Sequence, residues 1–177
     1  MILIPHPSSL IPAFIALGSN LDDPPAQIHS ALRALAAIPE TRLVRASSLY
    51  RNPPAGYLEQ PDFVNAAAMV ETRLAPRELL EQLLVIERAH GRVRDFPNAP
   101  RPLDLDIALY GERVIQEPGL TIPHPRLLER AFVLVPLAEI APDVIVPGHG
   151  RVAGLLRGVD ATTLVKLTDD AAADDRR

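Results

Sequence analysis

Two stretches of the chain, NPPAGYLEQPD at 52–62 and RVRDFPNAPRP at 92–102, carry too much proline and glycine for either helix or strand. They confine regular structure to the segments around them and form two long, stiff connections. Proline makes up 19 of 177 residues, about twice the usual share of roughly 5%. Before the first connection, AFIALG from Ala13 reads as a buried strand. Asp22 or Asp23 can then cap a helix with Pro24 or Pro25 in its first turn; Ile28, Leu32, Leu35 and Ile38 form its apolar stripe, and Pro39 stops it. RLVRASSLYR at 42–51 reads as a second strand. Between the connections, FVNAAAMVE from Phe63 reads as a strand. PRELLEQLLVIERAHG at 76–91 reads as a second amphipathic helix, with proline at its head, glycine at its tail and Leu79, Leu83 and Ile86 on one side. LDLDIALY from Leu103 is an alternating strand, followed by a turn at Gly111, a short edge strand near 113–116, the proline-rich IPHPRLLER and the apolar AFVLVPLAEI. The order β-α-β-β-α-β, with no internal repeat, predicts an α+β sandwich of helices packed on a mainly antiparallel sheet.

A composition of 47% hydrophobic and 23% charged residues suits one core. The expected division is an extension at 1–12, a single domain at 13–160 and a solvated tail at 161–177, because DDAAADDRR is acidic, small and without apolar spacing. No Lys or Arg precedes Arg33, so the charged leader of a signal peptide is not expected, and no apolar run approaches the roughly 18 residues of a membrane span. The absence of cysteine excludes disulfides, thiolate nucleophiles, Cys-ligated zinc and iron–sulfur clusters, and makes a reducing cytoplasm the expected compartment; a monomer is expected, though not from any feature of the composition. A formal charge of −4 argues against a nucleic-acid binder. Every basic residue but Lys166 is arginine; a GC-rich genome accounts for that, although the planar guanidinium fork also suits phosphate.

The strand Leu103-Asp104-Leu105-Asp106-Ile107 puts both carboxylates on one face and both leucines on the other, the acids about 7 Å apart at roughly 3.3 Å rise per residue. Such a strand can be an ordinary half-exposed one. It can also hold Mg²⁺, a hard cation that takes one or two carboxylates and shares its other positions with phosphates. The preceding loop favours the second reading: Arg88, Arg92, Arg94 and Arg101 are opposed only by Asp95 between 88 and 101, a local charge of +3 in an acidic chain. A solvated charge run remains the plainer account of that loop. There is no Walker loop and no G-x-G-x-x-G after the first strand. The five histidines lack metal spacing, and only His124, clamped between prolines and next to arginines, is a functional candidate.

Four segments in order, ALGSNL at 16–21, QPDFVNA from Gln60, GRVR with APRPLDLDI at 91–107 and IPHPRLLERAFVLVPLAEIAP at 122–142, resemble the 6-hydroxymethyl-7,8-dihydropterin pyrophosphokinases of the folate pathway. The resemblance implies a ferredoxin-like α+β fold and transfer of pyrophosphate from ATP to the pterin hydroxymethyl group, with ATP and the hydroxymethyldihydropterin as small-molecule partners and two Mg²⁺ ions as cofactor. By the same resemblance, Asp104 and Asp106 match the metal-binding carboxylates, and Arg92 and Arg101 match the arginines on the triphosphate, with Arg94 a further loop contact. Glu87, His124 and Arg130 match ATP-side positions, and Ile107 and Thr121 line the adenosine. Phe63 and Phe132 match the aromatics that sandwich the pterin, Asn65 the side chain on its polar edge, and Ala55 a substrate-side loop position. Asp106 is also a candidate to take the proton of the attacking hydroxyl. Two departures stand out: Pro97-Asn98-Ala99-Pro100-Arg101 replaces the Arg-Trp-Gly-Pro-Arg of many relatives, and Pro125 stands where some carry an aromatic. A non-catalytic pterin- or nucleotide-binding module of the same fold, and another Mg-dependent phosphoryl or nucleotidyl transferase, are the rival readings.

Overall fold

The computed structural model describes residues 9–168. β1 (Ile11–Ser19) leads into α1 (Pro24–Ala36), where Asp23 accepts a hydrogen bond from the Ala26 N–H and the two prolines fill the first turn. β2 (Thr41–Ala46) and β3 (Tyr50–Asn52) precede β4 (Phe63–Thr72) and α2 (Pro76–Ala89). β5 (Asp104–Tyr110) is followed by a hairpin of β6 (Ile115–Glu117) and β7 (Leu120–Ile122), then α3 (Ala131–Ile140). β8 (Ile145–Val146), β9 (Gly150–Arg151), the single-turn α4 (Val152–Leu155) and β10 (Val165–Lys166) complete the described chain.

The main sheet is antiparallel throughout, in the order β10-β3-β4-β1-β5, with β2 also paired to β4. Its alternation sorts residues into two layers. Ala13, Ile15 and Leu17 of β1 join Leu105 and Ile107 of β5 under the buried stripes of α1 (Ile28, Ala31, Leu35) and α2 (Leu79, Leu83, Ile86). On the other face Phe14, Ala67 and Ala108 meet α3 through Val133, Leu134 and Leu137. Each fully buried leucine or isoleucine contributes about 1.5–3 kcal/mol from the area it withdraws from water.

Several expectations need correction. The strand expected at 42–51 is broken, because Ser47 turns its hydroxyl to accept the Ala67 N–H at 2.9 Å in place of a backbone carbonyl, so β2 and β3 flank β4 as separate pieces. The edge strand expected at 113–116 lies at 115–117 and pairs with β7, outside the main sheet. The segment 131–140, whose apolar run predicts no particular element, is a helix, apolar around most of its circumference because the sheet and the chain that follows it enclose it, with only Glu139 exposed. Ile11 and Pro12 of the expected extension lie in β1, and Val165–Lys166 of the expected tail pairs with β3. The rest of the extension before residue 9 and the acidic run from Asp169 lie outside the described residues. Among the described residues, no helix is long and apolar enough to cross a membrane.

Candidate active site

The site lies where α3 stops covering its face of the sheet. Along β1, alternate residues on that face are Phe14, Ala16 and Gly18, so side-chain volume shrinks toward one end and a cleft opens. The register sets Ala16 between Ala67 and Asp106, and Gly18 between Asn65 and Asp104. A Cβ on Gly18 would meet the Asn65 Oδ1 at 2.9 Å, so enlarging this residue would displace the Asn65 side chain. The two aspartates therefore project over small neighbours, while Leu105 between them anchors β5 in the opposite core.

Around this floor the cleft is walled by Ala55, Phe63, Asn65, Arg101, Arg130 and Phe132. A recess under the second proline-rich loop is lined by Arg92, Arg94 and Arg101. A third, at the free edge of β5, is lined by Asp106, Ile107, Thr121 and His124. The His124 segment is tied to that edge by its N–H on the Ala108 carbonyl at 3.0 Å. All the singled-out residues except Glu87 thus line one of three adjoining recesses, which share Arg101 or Asp106. Glu87 lies behind them at 2% exposure, accepting the Leu105 N–H at 2.8 Å and facing Arg92 at 3.7 Å and Arg94 at 3.3 Å. It braces the arginines from beneath.

Arg92 ion-pairs with Asp104 and also donates to the Leu103 carbonyl at 3.2 Å; Arg101 reaches Asp104 at 3.3 Å. The Nε atoms of Arg92 and Arg101 are buried and have no hydrogen-bond partner among the described residues. A buried N–H left unpaired carries the full cost of its desolvation, about 1–3 kcal/mol and more for a charged group, so both guanidinium groups retain capacity for an anion. Asp106 differs from Asp104: among the described residues no group donates a hydrogen bond to its carboxyl, and His124 Nε2 stands off at 3.9 Å. Partial burial, then the neighbouring Asp104 and Glu87 charges, raise the Asp106 carboxyl above its ordinary value, against the opposing pull of Arg130 and Arg92. His124 is held below its ordinary value by burial and by Arg130. Its Nδ1 accepts the Arg126 N–H at 3.1 Å, which leaves the proton of the neutral ring on Nε2, toward Asp106.

Two carboxylates on one face, one of them short of positive compensation, form a donor set that fits a hard divalent cation shared with phosphate oxygens. Among the described residues, no group of three or more His, Cys, Asp or Glu side chains gathers as a closed metal cage. Such a cation would have to complete its shell from ligand and water. At the other side of the cleft, Arg101 lies over the Phe63 ring at 5.0 Å and Arg130 over Phe132 at 5.5 Å, so the aromatic walls and the cationic cover are in contact.

Sequence reasoning passed over Asn52, Asn98, Arg126 and Glu129, which line the same cleft. Arg126 and Glu129 had a signal, since both stand in the IPHPRLLER motif. Asn98 stands in an irregular loop and Asn52, the last residue of the three-residue β3, heads a stretch that reads as loop, so no periodicity indicates which way either side chain points.

The profile of the 7,8-dihydro-6-hydroxymethylpterin-pyrophosphokinase family matches residues 14–142. The 2-amino-4-hydroxy-6-hydroxymethyldihydropteridine pyrophosphokinase of Haemophilus influenzae is 46% identical over 158 residues, 89% of this chain and 99% of that protein. The folic acid synthesis protein fol1 of Pneumocystis carinii is 42% identical over 137 residues, 77% of this chain but 18% of that longer protein. Among solved structures, a Plasmodium falciparum HPPK-DHPS chain superposes with a TM-score of 0.70 at 14% identity, covering 89% of this chain. The chain spans 47% of that solved protein, and the likeness extends to the fold.

Proposed function

The chain belongs to the 7,8-dihydro-6-hydroxymethylpterin-pyrophosphokinase family, and we propose that the cleft at the open end of β1, β4 and β5 is where it transfers pyrophosphate from ATP to 6-hydroxymethyl-7,8-dihydropterin. The reaction is that of an ATP-dependent pyrophosphokinase of folate biosynthesis and releases AMP and the pterin diphosphate. One observation carries the assignment of the site: the paired carboxylates and their arginines adjoin Phe63, Asn65 and Phe132 in a single cleft.

In this reading the pterin lies between Phe63 and Phe132, with Asn65 on its polar edge and Ala55 at its loop side. A flat heterocycle gains about 0.5–1.5 kcal/mol per aromatic contact beyond area burial. The nucleotide lies along β5, with the adenosine in the recess of Ile107, Thr121 and His124 and the triphosphate beneath Arg92, Arg94, Arg101 and Arg130. Asp104 and Asp106 would hold two Mg²⁺ ions. When bound, these supply charge neutralisation at the phosphoryl oxygens and favour an ionised hydroxyl. The hydroxymethyl oxygen bonds to the β-phosphorus, the bridge from β-phosphorus to the α-phosphate oxygen breaks, and AMP leaves with that electron pair. In this reading Asp106 accepts the hydroxyl proton, while Arg92 and Arg101 turn from the Asp104 oxygens, which pass to the ions, to the triphosphate and neutralise charge as it shifts toward the leaving oxygen. Little covalent work falls to the protein; orientation and charge carry the rate.

The protein acts in this reading as a cytoplasmic monomer on small molecules only. Incubation with ATP, Mg²⁺ and the reduced hydroxymethylpterin is expected to release AMP and pterin diphosphate one for one. Formation of ADP would identify a different phosphoryl transfer, and binding without product would identify a non-catalytic module.

A further inference from the structure

Two of the motifs found in the sequence, ALGSNL and QPDFVNA, each contain a residue without a part in the site as described, Asn20 and Gln60. They meet. Asn20 is 2% exposed, and its amide is fully engaged. Its Oδ1 accepts the Arg101 N–H at 2.9 Å, while its own backbone N–H donates to the Arg101 carbonyl at 3.1 Å. Its Nδ2 donates to the Pro61 carbonyl at 3.0 Å and to the Gln60 Oε1 at 2.8 Å. The direction of every bond is fixed, because a backbone N–H can only donate and a backbone carbonyl only accept. Gln60 in turn donates through Nε2 to the Tyr57 carbonyl at 2.6 Å and to the Asn98 carbonyl at 3.0 Å, joining the first proline-rich loop to the second.

Pro61 stands two residues before Phe63, and Phe63 is the ring over which Arg101 lies at 5.0 Å. The two sides of one buried carboxamide therefore hold the backbone of Arg101, which carries the phosphate-side cation, and the segment that leads two residues later into the pterin-side aromatic. We infer that Asn20, completed by Gln60, is a positioning residue that sets the pterin face and the triphosphate cation in register with each other. This rests on the substrate assignment above and extends it: the clamp touches neither substrate and fixes the separation between them. The reacting oxygen is carried by the pterin and the β-phosphorus by the nucleotide, so an error in that separation falls on the chemical step. A displacement near 1 Å can cost about a hundredfold in rate while each site still binds its own ligand.

The variants Asn20→Ala, Gln60→Ala and Gln60→Glu separate this from a structural role. Gln60→Ala is expected to lower kcat about tenfold or more, with KM for ATP and for the pterin within twofold and an unchanged melting temperature. Gln60→Glu keeps the Oε1 acceptor for Asn20 but sets a second oxygen against the Tyr57 and Asn98 carbonyls, so it is expected to be as slow as Gln60→Ala or slower, again in kcat rather than in KM. Asn20→Ala combined with Gln60→Ala is expected to be no slower than Asn20→Ala alone, since both break one clamp. Losses that multiply in the double variant, a rise in KM at constant kcat, or a Gln60→Ala protein with normal turnover would overturn the inference. Should Asn20→Ala fail to fold, the two Gln60 variants still decide it through the split between kcat and KM. Wild-type protein that yields no AMP would instead sink the substrate assignment, so the two failures are distinguishable.

Discussion

At the residue scale the site depends on which neighbours compensate which charge. Asp104 has two guanidinium partners, whereas the Asp106 carboxyl is raised above its ordinary value by partial burial and by Asp104. Replacing either aspartate by asparagine is expected to lower turnover roughly a thousandfold, reflecting the several kcal/mol of charge neutralisation that a bound metal supplies. AMP release measured beside an unchanged melting temperature checks this, and near-normal activity in both variants would refute the metal role. Phe63→Ala removes both a stacking face and the Arg101 contact; KM for the pterin should rise about tenfold with a smaller change in KM for ATP, read from initial rates. Glu139 gives a pH prediction away from the site. Burial raises its carboxyl, but hydrogen bonds from the Tyr50 hydroxyl, the Ser48 N–H at 3.0 Å and the Ser48 hydroxyl at 2.8 Å outweigh that and hold it below 4.5. A carboxylate lowered by folding stabilises fully above its unfolded value, and the contribution disappears as pH falls through the folded one. The gap in melting temperature between wild type and Glu139→Gln should therefore be widest near neutrality and close as pH drops below 4.5. The carboxylate pair was legible in the sequence because a period of two dictates a shared face. The pairing of Asn20 with Gln60 was not, since 40 residues separate them and neither lies in a periodic segment.

At the element scale, helices and strands with clear signals came through from sequence: the Asp23 cap of α1, the prolines at the heads of α1 and α2, the strands β1 and β4, and the alternation of β5. Where a side chain replaces a backbone partner, as Ser47 does, local pattern has no way to announce the break between β2 and β3. The helix α3 had no amphipathic stripe to read, because it is enclosed by the sheet on one side and by the β8–β9 region on the other. Leu83 is fully buried on α2, and Leu83→Ala is expected to cost about 2–5 kcal/mol, measured by denaturant titration. A loss below about 1 kcal/mol would mean that α2 is not anchored as described. The two proline-rich loops touch through Tyr57 and Phe96, whose rings meet edge to face at 5.5 Å, and through Gln60 and Asn98. In a chain without tryptophan, these contacts hold the second loop beside the cleft.

At the scale of the whole molecule, the central strands are sealed by helices on both faces while the cleft end is open, so stability is unevenly spread. Amide hydrogen exchange should be slowest in β1 and β4 and fastest in the two loops and at the β10 edge, because opening the centre requires breaking both cores. Uniform protection across these regions would contradict the layered arrangement. What the sequence by itself determined was the class of fold, the placing of the two rigid connections and the chemistry available: paired acids, clustered arginines, two aromatics and an asparagine in motifs that name a family. These are local properties, set by periodicity, proline geometry and side-chain type. Only the tertiary structure decided that Glu87 braces the arginines from behind, that α3 leaves one end of the sheet bare, and that a single buried amide joins cation to aromatic. Each of those depends on antiparallel register and on which layer ends first, and contacts between distant segments are settled by packing over the whole core rather than by any stretch of the chain.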